Sequence, residues 1–270
     1  MIISILGNGD FMADKVFGFI GTGNMGSAII GGIIGKTQCI NAYDIKKKEN
    51  LKVDYKESIA DLVNESDVVV FCVKPNMFET VLAEVKTADY KNKLFISIAA
   101  GITKDFIKKH LGDVKLVRVM PNLPLCVGEG MSVVCPDGGL SADDTEAVKL
   151  IFESSGKMCI MSEDCINKAI AVNGSGPAYV FMFIEAMADA LVKNGIDREN
   201  SYTLAAQTVL GSAKMLLETK LHPGILKDMV CSPAGTTIDA VIDLEKNGFR
   251  HSVMSAVQKC TEKSVEMSKN

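Results

Sequence analysis

Val16-Phe17-Gly18-Phe19-Ile20-Gly21-Thr22-Gly23-Asn24-Met25-Gly26 is a short apolar run closing on three spaced glycines, and Ile29, Ile30 and Ile33 continue it at helical spacing. The pattern is strand, tight turn, helix. It is G-x-G-x-x-G in the only context that gives the motif meaning. Gly21 allows the tight turn, Gly23 lets the backbone approach a pyrophosphate, and Gly26 lets the helix lie close to the strand. The free amides of Asn24 and Met25 at the helix start face the same ligand. The first expectation is therefore a dinucleotide-binding α/β half.

Working outward, Cys39–Tyr43 is a second strand ending in Asp44. An acid there typically bonds the adenosine ribose hydroxyls and disfavours a 2′-phosphate. The next charged residues, Lys46, Lys47 and Lys48, suit that phosphate instead, or form an ordinary solvated loop. Asp44 argues for NADH and the lysines for NADPH. The diagnostic place of Asp44 tips the balance slightly toward NADH.

The alternation continues. Residues 67–73 read as a buried parallel strand, stopped at Lys74-Pro75, with a helix over 77–86. Strands follow at 94–98, 115–119, 131–135 and 157–161. Thr103 caps a helix running to His110, and Ser141 caps one running to Phe152, with Asp143 and Asp144 in its first turn. Ligands in such sheets bind outside the carboxyl ends of the strands. Lys74, Ala99 and Ala100 with Gly101, and Met120, Pro121 and Asn122 lie at such ends. They are expected to rim the nicotinamide half of the cofactor.

Past Met161 the strands stop. Residues 163–194 read as helix, broken at Asn173-Gly174-Ser175-Gly176-Pro177. Arg198–Thr219 is a second long helix carrying the small residues Ala206, Gly211, Ser212 and Ala213. A last helix runs from Phe249 to about Lys269. This half is apolar on several faces, too much so for a free surface layer, and a second copy is expected to cover it, a monomeric bundle being the alternative. Between the last helices stands Lys227–Leu244, KDMVCSPAGTTIDAVIDL. It is helix, turn, helix. The turn Ser232-Pro233-Ala234-Gly235 opens a helix, with Thr236 or Thr237 where it starts. Free amides, the local dipole and two hydroxyls there suit a small carboxylate. The plain alternative is a helix capped by Thr.

The boundaries expected are an extension at 1–11, with Met12 a suitable start; a Rossmann-type dinucleotide-binding domain at 12–162; and an all-α substrate and dimerisation domain at 163–270. The composition of the 270 residues is ordinary for a globular protein, 47% hydrophobic and 23% charged. A formal net charge of −4 gives no reason to expect nucleic acid. The eight cysteines form no C-x-x-C and no metal grouping, so no metal is expected. Cys72, Cys126 and Cys135 fall in apolar runs and read as buried thiols of a reducing cytoplasm. The histidines 110, 222 and 251 stand apart and read as structural or surface residues. No stretch reaches membrane-span length.

The motifs together resemble the pyrroline-5-carboxylate reductase family over residues 16–269. They are GFIGTGNMG at 18–26, VKP at Val73-Lys74-Pro75, SIAAG at 97–101, RVMPN at 118–122, GSGPAYVF at 174–181, GSAKM at 211–215, HPG at 222–224 and, most specific, KDMVCSPAGTTI at 227–238. The resemblance implies hydride transfer from NADH or NADPH to the C=N bond of 1-pyrroline-5-carboxylate, giving L-proline, the last step of proline synthesis. It adds Val73 and Pro75 to the cofactor contacts. It seats the substrate carboxylate on the amides around Gly235, Thr236 and Thr237, with Ser232 nearby. The Thr237 hydroxyl becomes the contact to the ring nitrogen, a hydrogen-bond partner rather than an acid, because the motif has no titratable group suited to that work. The family implies a dimer with interlocked helical domains, in many members built into a decamer.

Two departures stand out. The family's turn most often reads S-P-G-G, whereas this chain has Ala234, which is strained if the position needs φ > 0. The glutamate often found before H-P-G is replaced by Lys220-Leu221. Two rivals share the plan. β-Hydroxyacid dehydrogenases use a lysine in a Gly-rich helix motif, but Gly174–Phe181 has none. A dinucleotide sensor would need no Thr-rich turn.

Overall fold

The computed structural model describes residues 15–37 and 39–267. The expected extension at 1–11 and the start at Met12 lie outside them. The elements of the first half are β1 (Val16–Ile20), α1 (Asn24–Ile33), β2 (Cys39–Tyr43), β3 (Asp54–Tyr55), α2 (Ile59–Asn64), β4 (Val68–Phe71), α3 (Phe78–Val85), β5 (Leu94–Ser97), α4 (Lys104–Leu111), β6 (Lys115–Met120), β7 (Gly130–Pro136), α5 (Ala142–Glu153) and β8 (Gly156–Ile160). The strands form one sheet in the order β3-β2-β1-β4-β5-β6-β7-β8. All pairs are parallel except β6 with β7. That exception follows from chain length. The link between them holds only a short 3-10 turn (Leu123–Val127), whereas a parallel return needs a crossover of a dozen residues or more.

The strands are apolar throughout because both faces are covered. Successive side chains go to opposite faces. Phe17, Phe19, Val68 and Val70 pack with α1 and α5 through Ile29, Ile30, Ile33, Ile151 and Phe152. Ile20, Val69, Phe71 and Phe95 pack with α2, α3 and α4. Ring centroids of Phe71 lie 5.5 Å from those of both Phe78 and Phe95. Gly18 leaves room for α2, since a Cβ there would meet Ser66 Oγ at 2.4 Å. The caps fall where expected. Thr103 Oγ1 accepts the Phe106 amide at 3.1 Å, and Ser141 and Asp144 form a reciprocal capping box. β3 and α2 were not foreseen.

Of the three thiols expected to be buried, Cys135 is, Cys72 is half-buried and Cys126 is exposed. Cys126 lies on the surface 3-10 turn, whose outer side carries apolar residues too.

Helices follow at α6 (Glu163–Ala169), α7 (Gly176–Lys193), α8 (Arg198–Thr219), α9 (Pro223–Val230), α10 (Thr236–Lys246) and α11 (Phe249–Met267). The chain divides into two compact units, one of residues 175–260 and one of the rest. Helix α6 thus lies with the sheet, where Ile166 packs on Met120, Val133 and Cys135. The end of α11, from Thr261, lies there too.

The helical unit has almost no interior of its own. Ala188, Ser201 and Ala205 are its only buried residues. Phe181, Met182, Leu210, Leu217, Met229 and Val230 are all more than half exposed. Gly211, one of the small residues on α8, has open space around it within this chain. So few buried side chains do not offset the entropy of ordering five helices, which is the physical basis for expecting a second copy. Among the described residues no helix is long and apolar enough to cross a membrane.

Candidate active site

The order of strands reverses at β1, which pairs with β2 on one side and β4 on the other. That is where a dinucleotide crevice opens in such sheets. Gly21 sits there at φ +101°, a backbone open only to glycine, with its amide on Tyr43 O at 2.8 Å. A Cβ on Gly26 would stand 2.3 Å from Gly21 O, so glycine is what lets α1 turn back onto the strand. A Cβ on Gly23 would meet nothing within 4 Å. Gly23 and Asn24 are exposed, and α1 begins with no side chain capping its first amides. The residues present therefore fit a diphosphate: open space, free N–H donors and the positive end of a helix.

Asp44 lies beside this loop and braces it. Its Oδ2 accepts the Thr22 amide at 2.6 Å and the Thr22 hydroxyl at 3.0 Å, while Oδ1 accepts the Lys46 amide at 2.9 Å. Burial pushes its carboxyl pKa up, but the bonds from Lys46 and Thr22 and the charge of Lys48 outweigh that and hold it below the usual carboxylate range. Lys47 pairs with Glu57 at 2.8 Å. Lys48 Nζ touches Ser27 Oγ at 2.9 Å. Among the described residues Lys46 makes no ion pair.

The remaining rim residues follow β4, β5 and β6, whose carboxyl ends share one edge of the sheet. Val73 is half-buried against the core, while Lys74 and Pro75 are exposed at the start of a 3-10 turn (Pro75–Met77). Ala99 is buried and Ala100 half-buried. Met120 and Pro121 are buried, and Asn122 takes the Met131 amide on its Oδ1 at 2.8 Å. In the sequence Asn173 stands only at the head of a helix break. Its Nδ2 donates to Met120 O at 2.6 Å.

In the helical unit, Ser232-Pro233-Ala234-Gly235 closes a turn by a bond from the Gly235 amide to Ser232 O at 3.1 Å. Gly235 is the N-cap of α10, with no side-chain cap, and Thr236 and Thr237 are its first two residues. The plain alternative, a Thr-capped helix, is thus not what forms. Ala234 takes φ +55°, so the strain foreseen for it is present. A Cβ on Gly235 would stand 2.3 Å from Ser232 Oγ. Thr237 is half-buried, and among the described residues neither its hydroxyl nor that of Ser232 has a partner. Lys220 is the left-handed C-cap of α8 at φ +55°, and His222 caps α9 by accepting the Gly224 amide on Nδ1 at 3.1 Å.

A mostly parallel sheet with a glycine-rich crevice at its switch point, joined to a helical segment bare of core, is the plan of a nicotinamide-dependent oxidoreductase. Two family profiles match: "NADP oxidoreductase coenzyme F420-dependent" over residues 16–101 and "Pyrroline-5-carboxylate reductase dimerisation" over 163–267. The pyrroline-5-carboxylate reductase of Escherichia coli (strain K12) is 44% identical over 268 residues, covering 95% of this chain and 100% of that one. The enzyme of Methanosarcina acetivorans is 40% identical, covering 96% and 100%. The crystal structure of Plasmodium falciparum pyrroline carboxylate reductase with NADP bound is 37% identical, covers 95% of this chain and 99% of that one, and superposes with a TM-score of 0.87. This chain belongs to the pyrroline-5-carboxylate reductase family.

Proposed function

We propose that the chain reduces 1-pyrroline-5-carboxylate to L-proline, the closing step of proline synthesis, in the cytoplasm and as a homo-oligomer. The observation that carries the reading is the uncapped start of α10. It combines free amides at Thr236 and Thr237 with two unpartnered hydroxyls, the Gly235 amide being held on Ser232 O, in a chain 44% identical to a pyrroline-5-carboxylate reductase. Those amides are the proposed seat of the substrate carboxylate, with Ser232 beside them. The Thr237 hydroxyl bonds the imine nitrogen and raises the electrophilicity of the ring carbon.

Reduced nicotinamide, when bound, supplies the hydride. Gly21, Gly23, Asn24, Met25 and Gly26 are the proposed diphosphate cradle. Val73, Lys74, Pro75, Ala99, Ala100, Met120, Pro121 and Asn122 are the proposed rim of the nicotinamide half. Binding and orientation are what these groups contribute; no side chain in the turn is a proton donor of suitable pKa.

The place of Asp44 favours NADH, but its two oxygens already hold the loop through three hydrogen bonds, and Lys48 Nζ lies beside the loop on Ser27 Oγ. The solved Plasmodium falciparum relative holds NADP. We read the balance as moving toward NADPH. The proposed assembly is a dimer through the helical segment 163–270, with decamers built from dimers.

The test is oxidation of NADH and NADPH, at equal concentration, by purified protein with racemic pyrroline-5-carboxylate. Proline formation with the faster rate on NADPH is expected. Absence of turnover in protein that is folded and binds cofactor would remove the reductase reading.

A further inference from the structure

Three side chains from the stretch 163–173 reach back to the strand ends of the sheet unit. Glu163 Oε1 accepts the Lys104 amide at 2.9 Å and Arg118 Nη1 at 3.1 Å. Asn167 Oδ1 accepts Arg118 Nη2 at 2.8 Å. Asn173 Nδ2 donates to Met120 O at 2.6 Å. Lys104 follows the Ala99–Gly101 rim, and Arg118 and Met120 stand at the end of β6. The stretch is a strap over the sheet edge where the rim residues begin.

Asn173 is the member whose chemistry is unbalanced. It is 9% exposed, and its Oδ1 is closed to water and has no partner. The amide cannot be turned over, because two oxygens would then face each other at 2.6 Å. Leaving a buried acceptor unpaired is unfavourable, and an apolar side chain of similar size would avoid it. What the amide provides in return is one fixed carbonyl at the end of β6, directly before Pro121 and Asn122. Asn122 is itself held by the Met131 amide. The two bonds pin the segment 120–122 from both sides.

We propose that Asn173 is a positioning residue for the cofactor: through its bond to the Met120 carbonyl it sets the rim that receives the nicotinamide end. The proposal rests on the cofactor placement given above. It makes the effect specific to the nicotinamide end, since Asn173 bonds Met120 O and not the glycine-rich loop.

The experiment compares full-length Asn173→Ala, Asn173→Asp and two controls by direct NADPH titration through nicotinamide fluorescence, by steady-state kinetics and by thermal melting. Asn173→Ala should weaken NADPH binding and raise its KM by about ten-fold, one decade in binding constant. The KM for the imine and the melting temperature should stay near those of the parent. Asn173→Asp keeps the shape and loses the donor. It should bind poorly at neutral pH and regain affinity as pH falls, because a protonated carboxyl can donate to Met120 O again.

Thr87→Ala removes a hydroxyl that bonds Glu84 O at 2.8 Å beyond the end of α3, before β5 begins, and should change neither binding constant. Gly23→Val should abolish binding. If Asn173→Ala and Asn173→Asp both bind NADPH within about two-fold of the parent, or lose imine affinity and thermal stability in proportion, the proposal is overturned. If Gly23→Val also binds normally, the cofactor placement itself falls.

Discussion

Ala234 holds a left-handed backbone that costs an L-residue roughly 1–2 kcal/mol. Glycine would remove that strain but adds unfolded-state entropy worth about 0.4–1 kcal/mol. Ala234→Gly is therefore expected to stabilise the protein by about 0.5–1 kcal/mol, read as a shift in denaturation midpoint at fixed protein concentration. A midpoint that does not rise would mean that the turn relaxes around alanine. The proposed role of Thr237 belongs to the same scale but concerns rate. If its hydroxyl bonds the reacting nitrogen as proposed, Thr237→Ala would cost about 1–3 kcal/mol, or roughly 5- to 150-fold in kcat/KM. Thr237→Ser should retain most of the activity. Unchanged catalytic efficiency in the alanine variant would take the hydroxyl out of the chemistry.

At the scale of elements, the sheet unit depends on charges placed where helices meet strand ends. Asp137, just beyond β7, is gripped by Lys104 at 2.8 Å and Lys108 at 2.6 Å, one turn apart on α4. Burial raises its carboxyl pKa, but the two ammonium bonds prevail and hold it below the ordinary value. A depressed folded-state pKa means stability that is fully present above the unfolded value of about 4 and lost as pH falls through the folded one. Asp137→Asn should therefore flatten the acid limb of the stability curve. Parallel acid limbs in parent and variant would show that the pair contributes nothing there.

Much at this scale was legible beforehand. The glycine loop, the strand ends and the Thr103 and Ser141 caps are written in local spacing, and local spacing governs them. β3 and α2 escaped because two- and six-residue elements carry too few periodic positions to register. The antiparallel turn of β7 escaped because its cause is the shortness of the preceding link, not the residues in the strand. Asn173 gave no signal at all. Its partner is a backbone carbonyl 53 residues away, and only the folded chain brings them together.

At the scale of the whole molecule, the helical segment sets the terms. Its exposed apolar residues and the match of 163–267 to the dimerisation family support assembly with a second copy. A charge in that surface, Phe181→Glu on α7 or Leu217→Glu on α8, should shift sedimentation toward monomer and lower thermal stability together. Sedimentation like the parent's in both variants would place the interface elsewhere.

The bare interior has a further consequence when a cell makes two alleles of the chain. Each protomer's lifetime is then a property of its companion as much as of its own sequence. A weakened allele would be sheltered in mixed pairs when it is scarce and would drag down its sound counterpart when it is abundant, so inheritance of a defect would follow the dosage of the two alleles rather than the severity of the change.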